Sequence, residues 1–184
     1  MGKKSKVKGA SYELKIAKLL TSWWGAGTFN RAPASGALHW GRDQRVAGDI
    51  VAPPDSGFPF VIECKKREEW TMEHILLDIG QPKEWWQQVV TDARRVEKVP
   101  ILIFSRNRAK DFIMIPYEPS MYDKLNANDK AAMITSVSIT NIRDEVQYFD
   151  VIVSTYDALT NVPTSEVKEY AATVDWDRYK EDYQ

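Results

Sequence analysis

Cysteine is nearly absent from this chain: Cys64 is the only one in 184 residues. An internal disulfide is therefore excluded, and so is a cysteine-based zinc site. Histidine is almost as scarce, with His39 and His74 the only two, and neither has a ligand pattern around it. No apolar run approaches the roughly 18 residues of a membrane span. The opening Met1-Gly2-Lys3-Lys4 leads into no signal-type apolar segment. The expected setting is reducing and intracellular, cytoplasmic and not secreted, with no membrane partner. There is no internal repeat, and the length suits one well-buried core rather than two.

Hydrophobic residues make up 43% and charged residues 28%, an ordinary balance for a globular chain. The net charge of −1 conceals a division. Residues 1–110 hold 19 Lys and Arg against 12 Asp and Glu, a surplus of +7. Residues 111–184 hold 6 against 14, or −8. Such segregation suggests a basic working face and an acidic appendage, unless folding interleaves the halves and cancels the field.

Tyr12, Ile16, Leu19, Leu20 and Trp23 recur at helical spacing, which predicts a helix over 9–24, with Glu13 at the edge of its buried stripe. Residues 1–8 carry four lysines and read as a flexible basic arm. A short strand at 28–31 precedes a basic loop, 32–46. The runs 47–52 and 58–65 flank Pro53-Pro54-Asp55-Ser56-Gly57 and read as a β-hairpin. Period-2 geometry puts Val61, Glu63 and Lys65 on one face of the second strand. A helix over 82–96, a buried strand over 100–105 and a strand over 112–117 complete a core at 9–117. Further elements are expected at 119–133 (helix), 135–140 and 146–153 (strands), and 155–171 (short helices around Pro163). These make an α+β extension, 118–172, packed on the core, with an acidic and unstructured tail at 173–184. The order describes an α/β domain, a mixed central sheet flanked by helices.

Glu-x-Lys occurs three times, at Glu13/Lys15, Glu63/Lys65 and Glu166/Lys168. Only the middle copy lies on a strand that follows another bearing an acid, Asp49. That context points to phosphodiester chemistry. Mg²⁺ prefers oxygen ligands with several waters retained. Asp49 and Glu63 supply two carboxylates, the backbone carbonyl of Cys64 supplies a third oxygen, and Lys65 orients water or neutralises phosphate. Each residue alone fits a solvated strand face or a local backbone contact; the combination favours the metal site. Trp40, Arg42 and Arg45 in the basic loop, with Lys66 and Arg67, are candidate DNA contacts. Arg94, Arg95 and Lys98 read equally as phosphate contacts or a solvated helix end, and so do Gln87 and Gln88 as site support or exposed face. Gln81 is the weaker candidate of the glutamines. Adjacent Trp85 and Trp86 are expected to face different surroundings, one of them an interface.

Four stretches together resemble a known family: Lys8-Gly9-Ala10-Ser11-Tyr12-Glu13, Arg31-Ala32-Pro33-Ala34-Ser35-Gly36, Asp49-Ile50-Val51 and Ile62-Glu63-Cys64-Lys65. They resemble the Holliday junction resolvases of the archaeal Hjc type, within the PD-(D/E)xK nuclease superfamily, over residues 7–117. The resemblance implies a restriction-endonuclease-like fold and a homodimer that nicks opposing strands of a four-way DNA junction with Mg²⁺, for which Mn²⁺ substitutes. It implies Glu13 as the helix-borne acid of the site and a further metal ligand, Asp49 and Glu63 as metal-binding acids and Lys65 as the catalytic lysine. Ser35 would lie near the scissile phosphate, and Arg31 would contact DNA. One departure is Gly48 where the superfamily motif has proline. The rivals are a restriction-type or repair nuclease on linear, nicked or flapped duplex, a DNA-binding module that does not cleave, and an interaction protein whose acidic tail mimics DNA.

Overall fold

The computed structural model describes residues 3–33, 47–127 and 131–180. Helix α1 (Lys3–Trp24) leads to two short strands, β1 (Asn30–Arg31) and β2 (Ile50–Val51). Strand β3 (Phe60–Lys66), helices α2 (Met72–Leu76) and α3 (Gln81–Val96), and strands β4 (Val99–Ser105) and β5 (Phe112–Pro116) follow. The chain continues through α4 (Pro119–Asn126), β6 (Met133–Thr140), β7 (Val146–Thr155), α5 (Tyr156–Thr160) and α6 (Thr164–Thr173). Five strands form one sheet in the order β3-β4-β5-β7-β6, with β3 and β4 parallel and the other pairs antiparallel.

Strand β4 shows why a continuous apolar run sits here. Ile101 and Ile103 enter a core shared with α1, α4, α5 and α6, whereas Leu102 and Phe104 enter a second core under α2 and α3. All seven β4 residues are buried, because helices cover both faces of the sheet. The architecture is thus the expected α/β arrangement of a mixed sheet between helical layers. Edge strand β6 is partly closed by side chains: Asp78 Oδ1 accepts the Ser138 N–H at 3.0 Å, and Gln87 Oε1 accepts that of Thr140 at 3.1 Å. Pairing of its outward amides this way blunts an edge open to another strand.

Several expectations are corrected. Residues 47–52 and 58–65 do not form a hairpin. Instead β2 pairs antiparallel with β1, and Gly48 meets Ile62 in a parallel bridge. Prolines 53 and 54 lack the N–H a ladder needs, so β2 stops at Val51, and the loop carries the chain back before β3 starts. The basic arm is not separate from the fold, since α1 already begins at Lys3. Helix α4 ends at Asn126, short of the expected 133. Strands β6 and β7 join the core sheet itself, so the C-terminal segment completes it. The tail is structured as far as Lys180: Trp176 packs on both cores, and Tyr148 donates its N–H to the Tyr179 hydroxyl at 2.8 Å. Trp85 and Trp86 are both buried, the first beside Phe104 and the second beside Phe149. Arg94 turns inward to Asp177 and is not a solvated helix end.

Candidate active site

The outer edge of β3, opposite β4, is where Asp49 is fixed. Gly48 adopts φ 77°, and a Cβ there would lie 2.3 Å from the Ile62 carbonyl oxygen. Glycine alone allows this approach, which explains Gly48 where a proline was the family expectation. Asp49 N–H then donates to Ile62 O at 2.8 Å, and Asp49 Oδ2 accepts the Cys64 N–H at 2.8 Å. These two bonds bracket Glu63. On the other side, Ala32 N–H donates to Asp49 O at 2.8 Å, tying in the β1 segment. Because N–H and C=O of one strand residue point to the same edge, the Cys64 carbonyl is directed toward Asp49.

Glu63 and Lys65 share a face of β3, as the alternation required. Glu63 is 1% exposed, and Lys65 Nζ lies 2.5 Å from its Oε1. That contact is an ion pair, and among the described residues no other donor reaches Oε1. Lys65 Nζ also donates to Gln88 Oε1 on α3 at 3.1 Å. Burial pushes the Glu63 carboxyl well above its ordinary pKa, the neighbouring Asp49 charge pushes it further, and Lys65 opposes both. Asp49 is raised mainly by burial; the Cys64 N–H bond pulls it down, while Glu13 adds to the rise.

Glu13 and Arg31 stand beside this pair, joined to each other by a 2.7 Å ion pair from Arg31 Nε to Glu13 Oε2. Among the described residues no three Asp, Glu, His or Cys side chains converge as a metal cluster. Glu13 adds negative charge near Asp49. Lys66 lies on the opposite face of β3 from Lys65, with its ammonium 5.8 Å from the Tyr12 ring centroid. Arg67 donates from Nη1 to Lys66 O at 3.3 Å. Ser35, Trp40, Arg42 and Arg45 lie outside the described residues.

Helix α3 contributes two residues to this neighbourhood. Of the three glutamines weighed, Gln88 reaches Lys65, Gln87 serves the β6 edge, and Gln81 Oε1 is buried without a partner. Asp92, which sequence reasoning missed, lies near the Gly48 N–H, which pulls its carboxyl pKa down against burial, and contacts Arg95 at 3.5 Å. It lies one turn beyond Gln88, and that i, i+4 spacing was the available signal.

The donor set suits a hard divalent cation. It consists of two buried carboxylates, one with an oxygen met only by Lys65 among the described residues, and a backbone carbonyl on the same edge. Mg²⁺ is commonly held by one or two carboxylates with several waters retained, so a third acidic side chain is not required. A cation held by Asp49, Glu63 and the Cys64 carbonyl would supply charge stabilisation at phosphorus and a more acidic water. Lys65, its ammonium steadied by Gln88, faces the same place and offers positive charge to a phosphate oxygen.

Comparison with known proteins fits this chemistry. The chain is 29% identical over 125 residues to Protein D14 of Escherichia phage T5, covering 66% of this chain and 76% of that protein. A solved structure, the 1.6 Å structure of Archaeoglobus fulgidus Hjc, a Holliday junction resolvase from an archaeal hyperthermophile, is 18% identical with a TM-score of 0.38. That match covers 87% of this chain and 99% of the other. The family profile described as phage putative PDDEXK endonuclease matches residues 4–169, running through β6, β7 and α5 as well as the site. The chain belongs to this family of PD-(D/E)xK endonucleases.

Proposed function

We propose that the protein is a Mg²⁺-dependent, structure-selective DNA endonuclease that makes paired nicks in four-way junctions as a homodimer, with Mn²⁺ able to substitute. The observation that carries the reading is the pairing of Asp49 and Glu63 on one strand edge with Lys65 in contact, inside a member of an endonuclease family. The preference for a junction rests on the four sequence stretches that resemble Hjc-type resolvases.

In this mechanism Asp49, Glu63 and the Cys64 carbonyl would hold the cation. Lys65 orients the attacking water and neutralises charge on the phosphate, and Gln88 keeps its ammonium in place. A water oxygen bonds to phosphorus, the bond to the 3′ oxygen breaks, and that oxygen takes a proton. The products are a 5′-phosphate and a 3′-hydroxyl. Glu13 holds Arg31 by their ion pair, so that Arg31 contacts DNA from a fixed position. Ser35 serves near the scissile phosphate, and Trp40, Arg42 and Arg45 contact the strands around it. Recognition is by the shape of the branch and the positions of phosphates, with little base readout.

The test compares end-labelled four-way junction, flap and linear duplex of matched sequence with Mg²⁺, beside Glu63→Ala. Symmetric paired nicks near the branch that vanish in the variant are expected. Equal cutting of linear duplex would replace the resolvase with a general nuclease. Binding without cutting, in Mg²⁺ or Mn²⁺, would mark a module that does not cleave.

A further inference from the structure

The parallel pairing of β3 and β4 brings two cationic segments together that are 39 positions apart in the chain. Lys66 is in register with Ser105, so Arg67 and Arg106 leave the sheet as neighbours, about 4.8 Å apart across the strands. Arg67 N–H donates to Ser105 O at 3.1 Å and carries the pairing one residue past the ladder. Glu68 then fastens the two loops. Its two carboxylate oxygens accept the Asn107 N–H, each at 3.2 Å, and Oε1 also pairs with Lys8 on α1.

The same surface holds its arginines ready. The Arg106 guanidinium lies 5.5 Å from the centroid of the Trp70 ring, which is itself buried and anchored by its Nε1–H to Ser105 O at 3.2 Å. Arg106 nevertheless remains exposed, as does Arg108 at the loop tip. Nearby acids are mostly committed elsewhere. Asp111 accepts from Tyr12 at 3.0 Å and from Lys15 at 2.6 Å, and Asp157 pairs with Lys110 at 3.5 Å. Glu69 is the acid of this loop without such a partner. Among the described residues, Lys66, Arg67, Arg106 and Arg108 have no ion-pair partner.

We infer that this strand-end surface, built from Lys66, Arg67, Arg106 and Arg108, is a phosphate-binding ridge that holds a duplex DNA arm leading away from the cleavage site. Lys65 sits two residues before Arg67 on the same strand, about 7 Å away, so the ridge continues directly from the reacting phosphate. The inference rests on the nuclease reading and adds to it a location for one arm of the substrate. Fixed guanidinium groups suit phosphate, because less rotamer freedom is lost for each bond made.

Binding of a fluorescent four-way junction, followed by anisotropy in EDTA to prevent cleavage, tests this with the full chain across a series of salt concentrations. The variant is Arg106→Gln with Arg108→Asn, since Arg108 has φ 60° and asparagine tolerates that region. Loss of two phosphate contacts should weaken binding several-fold and make the slope of log K against log salt shallower by about 2. A control that removes two cations elsewhere, Lys124→Gln with Lys168→Gln, should keep the wild-type slope. Should the melting point of the double variant fall, Arg108→Asn alone is read, with a slope change of about 1. An unchanged slope and affinity, in a protein that still binds and cuts the junction, would overturn the ridge and leave the nuclease standing. Wild-type protein that neither binds nor cuts DNA would overturn the functional reading itself.

Discussion

Two buried ion pairs flank helix α3, and they are built to opposite specifications. Arg94 meets Asp177 through two bonds of 2.8 Å, adds a 2.8 Å bond to Gln147 and lies 5.4 Å from the centroid of the Phe149 ring. Both Asp177 oxygens receive donors. Glu63 is at least as buried, yet among the described residues its Oε1 meets only the Lys65 ammonium, with Asp49 adding negative charge beside it. A buried charge is tolerated when its hydrogen-bonding capacity is filled and is costly when it is not. The first pair is structural. The second is left short of positive charge, an environment that a divalent cation would complete.

Substitutions should therefore separate the two pairs. The largest effect is expected from Glu63→Gln on cleavage: a fall of about a thousandfold or more, since a bound cation contributes several kcal/mol to the transition state. Thermal unfolding of the same variant without metal should show no loss of stability. Asp177→Ala should do the reverse. Removing the carboxylate that neutralises the buried Arg94 charge costs about 3–5 kcal/mol, seen as a lower midpoint in urea, while the folded fraction keeps its cleavage rate. A variant at either site with both defects would erase the distinction.

Smaller effects sharpen it. Gln88→Ala should slow cleavage about 10- to 100-fold, the usual range for a residue that orients a group at a metal site. Gln88→Glu should restore part of the rate, because a carboxylate also accepts from Lys65. The smallest effect concerns pH. The folded pKa values of Asp49 and Glu63 both lie above their unfolded values near 4. Their protons therefore stabilise the folded state below that pH, and the contribution is lost as the pH rises through the folded values. In the absence of metal, Glu63→Gln should gain on the order of 1 kcal/mol over wild type at pH 8 and show a flatter stability profile from pH 5 to 8.

The alternation Val61, Glu63, Lys65 was legible because strand geometry fixes which side chains share a face. The direction in which Gly48-Asp49 meets β3 was not, since apolar runs flanking a turn look the same for antiparallel and parallel neighbours. Only the Gly48 approach to Ile62 reveals it. The partners on α3 depended on how that helix is rotated against β3, which single residues do not encode. Yet Trp86, Val90 and Arg94 follow one another at four-residue steps, and two are fully buried apolar side chains. That stripe carried the signal that Arg94 is buried in spite of its charge, which the reading as a phosphate contact or solvated helix end missed. Acidic composition concealed the order of the tail, where Trp176 and Asp177 supply the anchors.

The central claim is that Asp49 and Glu63 await a divalent cation, and calorimetric titration with Mn²⁺ at pH 7 in two buffers of different ionisation enthalpy tests it most directly. Ligand carboxylates must be deprotonated, so binding should release protons. The account predicts binding to the wild-type protein with proton release, lost in Glu63→Gln and retained in Asp177→Ala. No binding, or binding that survives Glu63→Gln unchanged, would contradict it.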